Sequence, residues 1–345
     1  MRTDSFRSLV FISLAATLVY FAWLKKIKLS TLILLVSVLL IFDMWPVNKR
    51  FLGSRDFLTA KEDKNLFAPT TADMVILRDK DPDFRVLNLT VSILQDATTS
   101  YYHKSLGGYH GAKMRRYQEL FDHSIENELM SLVNTLQKKP RPEAVDSTLA
   151  TMGTMNMLNT RYIIYNTEAP PLVNRHELGN AWFVKQYTIV PDADAEILAV
   201  SSGLKPGQEA VIDARFENDV KGLTLVPDTT AHISLTEYRA NYLKYSSIAS
   251  KDQLAVFSEV YYDKGWQAYI DGKPAPHFRA DYLLRAMKVP EGKHTIEFKF
   301  HPSSYFVGEK VSMASSLLLL LLALGTGWKE WKRGTRDQQE KSRRD

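Results

Sequence analysis

The 345-residue chain contains no cysteine. That excludes a disulfide scaffold, a zinc site built on thiolates and a thiol nucleophile. It assigns no compartment. The chain also lacks the Ser-centred GxSxG elbow of hydrolases, a Walker loop, a GxGxxG phosphate fingerprint and an HExxH metal motif. Long internal repeats and low-complexity tracts are missing as well. The net charge of +5 and a pI near 9 invite a nucleic-acid reading. The position of the charge excludes it. Lys25, Lys26 and Lys28 carry +3, the Arg2–Arg7 stretch +1, and the tail from Lys329 to Asp345 another +3. The remainder is therefore about −2, whereas a nucleic-acid binder carries its basic stripe on the folded domain.

The mean hydropathy of −0.21 hides three apolar runs. They are Leu9 to Leu24, Leu29 to Trp45 and Val311 to Trp328. Each is at the short end of what crosses a hydrocarbon core. Tyr20, Trp23, Trp45, Trp328 and Trp331 sit at their ends, as in an interfacial aromatic belt. A cleaved leader fits the first run poorly, because a second run follows after four residues with no small-residue cleavage site between. Asp43, two residues from Trp45, is expected at the interface. The basic KKIK loop and basic tail orient the spans with both inside. Residues 46 to about 308 then lie outside the cytoplasmic membrane, an assignment opposed by Lys49, Arg50 and Arg55. With only eight residues before the first span, an outside N-terminus leads us to expect the C-terminal part of a larger polytopic protein, or a shortened one.

The expected fold class is a membrane-anchored α+β protein. Its three transmembrane helices surround an extracytoplasmic α/β domain followed by an antiparallel β-sandwich. In domains, that is two spans in 1–45, an α/β domain over 46–215, a β-sandwich over 216–308, a span at 311–328 and a basic cytoplasmic tail at 329–345. Residues 46–70 read as a connector and Thr71 to Asp79 as a short capped helix. Phe84 to Thr90, Arg161 to Tyr165 and Ala181 to Val190 read as strands. Helices are expected over 112–137, with apolar residues three or four apart, over 141–158 and over 191–202. Beyond about 208, short β-rich runs separated by Asp271-Gly272 and Pro290-Glu291-Gly292 turns indicate the sandwich.

The richest polar segment is Asp96 to Tyr117. Its Tyr101, Tyr102, His103, Lys104, Tyr109, His110, Arg115 and Arg116 are the candidate substrate-binding residues. Aromatic faces stack on sugars, and Arg and Lys suit phosphate. Gly107 and Gly108 would allow a ligand close to the backbone or make a tight turn. The plainer reading is a loop packed on a sheet, its tyrosines satisfied internally. His103, His110 and His123 with Asp122 match no metal spacing, so a divalent metal is possible but unsupported and no cofactor is evident. Tyr261, Tyr262, Trp266 and Tyr269 form a cluster that serves either a carbohydrate surface or core packing.

These stretches resemble the YfhO family of bacterial membrane proteins, specifically its C-terminal region. The likeness rests on DMWPVNKRFL (43–52), TTSYYHKSLGGYHGAKMRRYQEL (98–120) and MNMLNTRYII (155–164). It continues through GNAWFVK (179–185), AVFSEVYYDKGWQAYIDGK (255–273) and DYLLRAMKVPEGKHTIEFKFHPSSY (281–305). The resemblance implies a GT-C-type glycosyltransferase in the bacterial inner membrane. Such an enzyme passes sugar from a polyprenyl phosphate to an envelope glycan, with a carboxylate base in its first external loop. The inter-helix loop KKIK holds no carboxylate, so no catalytic residue is carried over. The expected role is the external acceptor-positioning domain, partnered by the bilayer, a polyprenyl-phosphate sugar and an envelope glycan. The alternative is a non-catalytic membrane-anchored sugar-binding or scaffold protein.

Overall fold

The computed structural model describes residues 2–51, 53, 57, 59, 67–138 and 140–341. Much of the expected connector, including Arg55, lies outside the described residues, as do Lys139 and the tail beyond 341. The chain divides into two compact units, Met1–Ala68 and Pro69–Asp345.

The first unit is a helical hairpin, α1 (Arg2–Trp23) and α2 (Leu29–Phe51). A residue with positive φ, Lys25, turns the chain between them. Phe6–Trp23 and Leu29–Lys49 have hydropathies of 1.6 and 2.1 and are unburied by protein, so they suit lipid. Asp43 is not alone at its end of the hairpin. Its Oδ1 lies 3.1 Å from Arg7 Nε, so a charge on each helix neutralises the other.

The second unit begins with α3 (Thr71–Ile76). Thr70 and Asp73 form its capping box, two orphan backbone groups satisfied reciprocally. Strand β1 (Arg85–Asn88) pairs in parallel with β2 (Thr160–Ile164), and β3 (Leu172–Val173) adds antiparallel to β2. The crossover between β1 and β2 is helical. It holds α4 (Arg115–Leu120), a π turn at Phe121–Ile125, α5 (Glu126–Gln137), α6 (Pro142–Ala150) and α7 (Gly153–Met157).

The expected helix at 112–137 thus starts three residues late and widens in its middle. Buried Phe121, Ile125 and Leu129 recur every four residues, and each such step drifts about 40° around a helix of 3.6 residues per turn. A π turn absorbs that drift and keeps them on one face. The helix expected at 141–158 breaks at Thr151–Met152. Gly153 there packs so closely on Leu204 that an added Cβ would lie 2.7 Å from its carbonyl oxygen. Glu128 accepts the Thr154 and Met155 amides at 2.8 and 2.9 Å and thereby restarts the helix.

The run expected as one strand over 181–190 is two, β4 (Ala181–Val184) and β5 (Gln186–Val190). Lys185 leaves the first sheet by donating its amide to Gln208 O at 2.7 Å. Strand β5 then pairs in parallel with β6 (Glu209–Asp213) across α8 (Ala193–Ser201). After α9 (Glu217–Val220) come β7 (His232–Arg239), β8 (Tyr242–Ala249), β9 (Gln253–Val260) and β10 (Trp266–Ile270). Then follow β11 (Lys273–Ala275), β12 (Phe278–Ala280), β13 (Leu284–Val289) and β14 (Gly292–Phe300). The last element is the long helix α10 (Ser303–Lys341).

These strands make two antiparallel sheets, β11-β10-β14-β8-β7 and β12-β13-β9-β4. Asp271 and Gly272, both at positive φ, form the expected tight hairpin. Ile233, Leu243, Tyr245, Ile296 and Phe298 of the first sheet share a cluster with Ala255, Phe257, Met287 and Val289 of the second. The rings of Phe257 and Phe298 meet edge to face at 4.9 Å across it. The opposite face of the four-stranded sheet, with Trp182, Val184, Leu254, Val256 and Leu284, joins a larger core with the helices. Burial on both faces explains why β9 reads as the unbroken apolar run LAVF. Strand β4 precedes the compositional change near 208, yet it pairs with β9.

Candidate functional site

The Asp96–Tyr117 tract does not converge on one point. Tyr101, 61% exposed, closes a 3₁₀ turn and meets Tyr102 edge to face at 4.9 Å. His103 turns inward, its Nε2 2.8 Å from Asp73 Oδ1, while Asp73 Oδ2 accepts the Thr70 amide of the α3 cap. Burial pushes the Asp73 carboxyl up, but hydrogen bonds from Thr70 and His103 outweigh it and hold the group below its ordinary value. Lys104 places Nζ 2.5 Å from Asp83 Oδ1 and 3.2 Å above the Tyr238 ring. Both are structural clasps.

Gly107 is close to backbone, but to the chain's own. A Cβ there would stand 1.9 Å from Ile93 O, so this glycine makes the tight turn. Tyr109, 70% exposed, and His110 lie on the surface. Arg115 pairs with Glu119 at 2.7 Å, one helical turn on. Arg116 points the other way, 4.5 Å over the Tyr282 ring. Tyr117 donates to Leu106 O. Among the described residues no three His, Asp or Glu side chains are grouped to hold a metal ion.

The aromatic cluster also divides. Tyr261 packs edge-on to Phe216, Trp266 lies 4.0 Å beneath the Arg285 guanidinium, and Tyr269 neighbours Lys299.

Arg116 leads to a charged network that the sequence reading missed. Glu196 on α8 is wholly buried, and its Oε2 accepts from Arg279 Nη2 of β12 at 2.9 Å. The same Nη2 lies 3.1 Å from Asp213 Oδ2 at the end of β6. Glu196 Oε1 takes the Tyr282 amide at 3.0 Å, and the Tyr282 hydroxyl donates to Glu119. Burial raises the Glu196 carboxyl despite the opposing pull of Arg279.

The turn carrying Tyr282 holds two consecutive non-glycine residues in the left-handed region, Asp281 (φ 50) and Tyr282 (φ 68). Such conformations cost of order 1–3 kcal/mol each and persist only where surroundings impose them. Here the imposing contacts are Asp281 N to Val211 O and Val211 N to Asp281 Oδ1, both 2.8 Å. Burial pushes the Asp281 carboxyl up to about 8. The network fastens α4 and α8 to the β12–β13 turn. The available signal was an acid inside an apolar helix (AEIL) and a base inside an apolar strand (FRA). Neither names its partner.

A roomy cleft lies elsewhere. It is a groove of about 950 Å³ formed by β4, the turn before it and the segment leading into β7. Phe183 and Val226 give it apolar surface. Asp81, Asp83, Asn180, Asp228, His232 and Gln253 give it polar groups. Asp228 is held well below the ordinary carboxylate range by hydrogen bonds from Thr230 and Ser250. None of the eight candidates in the Tyr/His/Arg tract lines it; Lys104 reaches it only through Asp83. Strands β4 and β7 are the outermost strands of their sheets, which is why a cleft opens between them.

Residues 221–312 match the family described as bacterial membrane protein YfhO. Over 113 residues the chain is 37% identical to an uncharacterized protein YfhO from Bacillus subtilis (strain 168). Through this region the chain is similar to the YfhO family. The aligned stretch covers 32% of the chain and 12% of the Bacillus protein, so the chain spans a small part of that relative. No solved structure matches. The YfhO region runs from β7 through β14 into α10. It contains Arg279, Asp281, Tyr282 and the 226–235 wall of the groove, and it excludes Tyr101 to Arg116. With three helices among the described residues long and apolar enough to cross a bilayer, and with this similarity, the chain is a bacterial membrane protein.

Proposed function

We propose that this YfhO-type chain holds a cell-envelope glycan for sugar transfer from a polyprenyl phosphate, as the acceptor-positioning part of a GT-C-type glycosyltransferase. The body would be extracytoplasmic, with the KKIK loop and basic tail inside, and its two antiparallel sheets would act as a β-sandwich. The groove beside β4 carries this reading. Its volume of about 950 Å³ lies within the roughly 300–1,000 Å³ of ligand sites. Carboxylate, amide and imidazole groups beside an aromatic ring are the partners that sugar hydroxyls and sugar faces need. The exposed Tyr101, Tyr109 and His110 supply a second candidate glycan surface on the same body.

The test uses the intact chain in nanodiscs and an array of purified bacterial envelope glycans. Asn180→Leu and His232→Ala should weaken binding at least tenfold, and Tyr101→Ala with Tyr109→Ala less. If neither set alters binding, or the wild type binds no glycan, the reading fails. A non-catalytic scaffold is favoured by one observation: Asp81, Asp83 and Asp228 of the groove each already pair with the chain's own groups. Envelope-glycan binding without sugar transfer by the full-length protein would support that alternative.

A further inference from the structure

The body and its membrane helix are joined with almost no slack. Strand β14 ends at Phe300, and only His301 and Pro302 separate it from α10. His301 stacks on Phe306 with ring centroids 4.0 Å apart and planes 13° from parallel. Its amide donates to Gly265 O at 2.8 Å, and the Phe300 amide donates to Asn241 O at 2.9 Å. The β9–β10 loop and the β7–β8 turn are therefore both tied to the root of the helix. Gly265, at φ +126, packs so tightly that a Cβ would meet the Phe300 ring at 2.8 Å and Pro302 at 3.0 Å.

The length of the span sets the height of this junction. Ser303–Lys329 is 27 residues of apolar helix, about 40 Å at 1.5 Å per residue. A bilayer with its headgroup layers is roughly 40–45 Å thick. Ser303 thus falls at the outer margin of the headgroups, and the loops tied to His301 and Phe300 lie just beyond it. The residues presented there include Tyr262, Lys264, Arg239 and Tyr305, with Phe306 partly covered by His301, and one acid, Asp263. All are exposed, and the aromatic and basic ones are of the types that populate a membrane interface. The opposite end of the same sheet, at Asp271–Lys273 and Pro290–Lys293, offers no aromatic residue.

We infer that the β9–β10 loop, the β7–β8 turn and the first turns of α10 form a collar that seats this end of the sheets on the phospholipid headgroup layer. The aromatic rings enter the interface, and Lys264 and Arg239 meet lipid phosphates. The inference holds whichever side of the membrane the body occupies and does not depend on the glycan reading.

The absence of cysteine makes the test direct. Single substitutions Tyr262→Cys, Lys264→Cys and, at the far end, Lys273→Cys in the full chain accept one fluorophore each. The nine residues of β14 separate the two ends, about 30 Å of strand. The labelled proteins are reconstituted in phosphatidylethanolamine–phosphatidylglycerol vesicles carrying a nitroxide on the lipid headgroup. Quenching at 262 and 264 should exceed that at 273 at least threefold. Equal quenching at 264 and 273 would overturn the collar. Those two positions are exposed lysines, so the comparison survives even if the Tyr262 variant folds poorly.

Discussion

Replacing Arg279 by Met removes a cation from an otherwise closed network. Its guanidinium makes three contacts, to Glu196 Oε2 at 3.3 and 2.9 Å and to Asp213 Oδ2 at 3.1 Å. Met fills similar space and keeps an apolar neighbour for Phe216, whose ring lies 5.3 Å from the guanidinium. What remains is two carboxylates facing a dry interior. Glu196 keeps the Tyr282 amide and Arg116 Nη1 at 3.9 Å, and Asp213 keeps Arg215 at 3.0 Å. Breaking a buried pair by removing one partner costs about 3–5 kcal/mol. The retained partners place this case near the lower bound.

Denaturant unfolding in detergent micelles, followed by near-ultraviolet circular dichroism of the body, reads this cost as a lowered midpoint at unchanged slope. The deficit should shrink between pH 8 and pH 5, because Glu196, already raised by burial, takes up a proton more readily once Arg279 is gone. Adding Glu196→Gln and Asp213→Asn should recover most of the loss, since a neutral network leaves no uncompensated charge. A deficit below about 1 kcal/mol, or one that grows on acidification, would refute the reasoning.

Asp281 predicts a second pH dependence. Its folded pKa of about 8 stands above its ordinary value of 3.8, so its stabilising contribution is complete below about 4 and is lost as pH rises to about 8. Within that window the slope reaches about 1.4 kcal/mol per pH unit. Asp281→Asn keeps the acceptor for Val211 N and should flatten that part of the profile; superimposable profiles would reject the assignment. Gly107→Ala should destabilise the body by about 1–3 kcal/mol, because the Ile93 carbonyl must move. Gly111→Ala, with open space around its Cβ position, should stay within about 0.5 kcal/mol. Similar melting temperatures for those two variants would show that the turn is not tightly packed.

Periodicity is a local property, and local features were legible. The three apolar runs, the Asp271-Gly272 hairpin and most strands after 230 followed from spacing and turn residues alone. Where the outcome depended on a partner distant in sequence, it was not legible. Lys185 looks like the middle of a strand until Gln208 draws its amide away. The spacing of Phe121, Ile125 and Leu129 suggests an ordinary helix, and the core behind them demands a π turn. His103 and Arg116 look like neighbours in one polar tract. In the fold, one clasps Asp73 and the other reaches Tyr282, 166 residues onward.

The cysteine-free, apolar-ended sequence by itself determined a membrane protein with an α+β body, because hydrophobic length and alternation act through nearest neighbours along the chain. Only the tertiary structure decided which charges meet. A carboxylate such as Glu196 is buried at a cost that long-range partners must offset, and composition cannot name them. The groove is likewise a product of assembly, since it opens between two sheet edges whose strands lie about fifty residues apart.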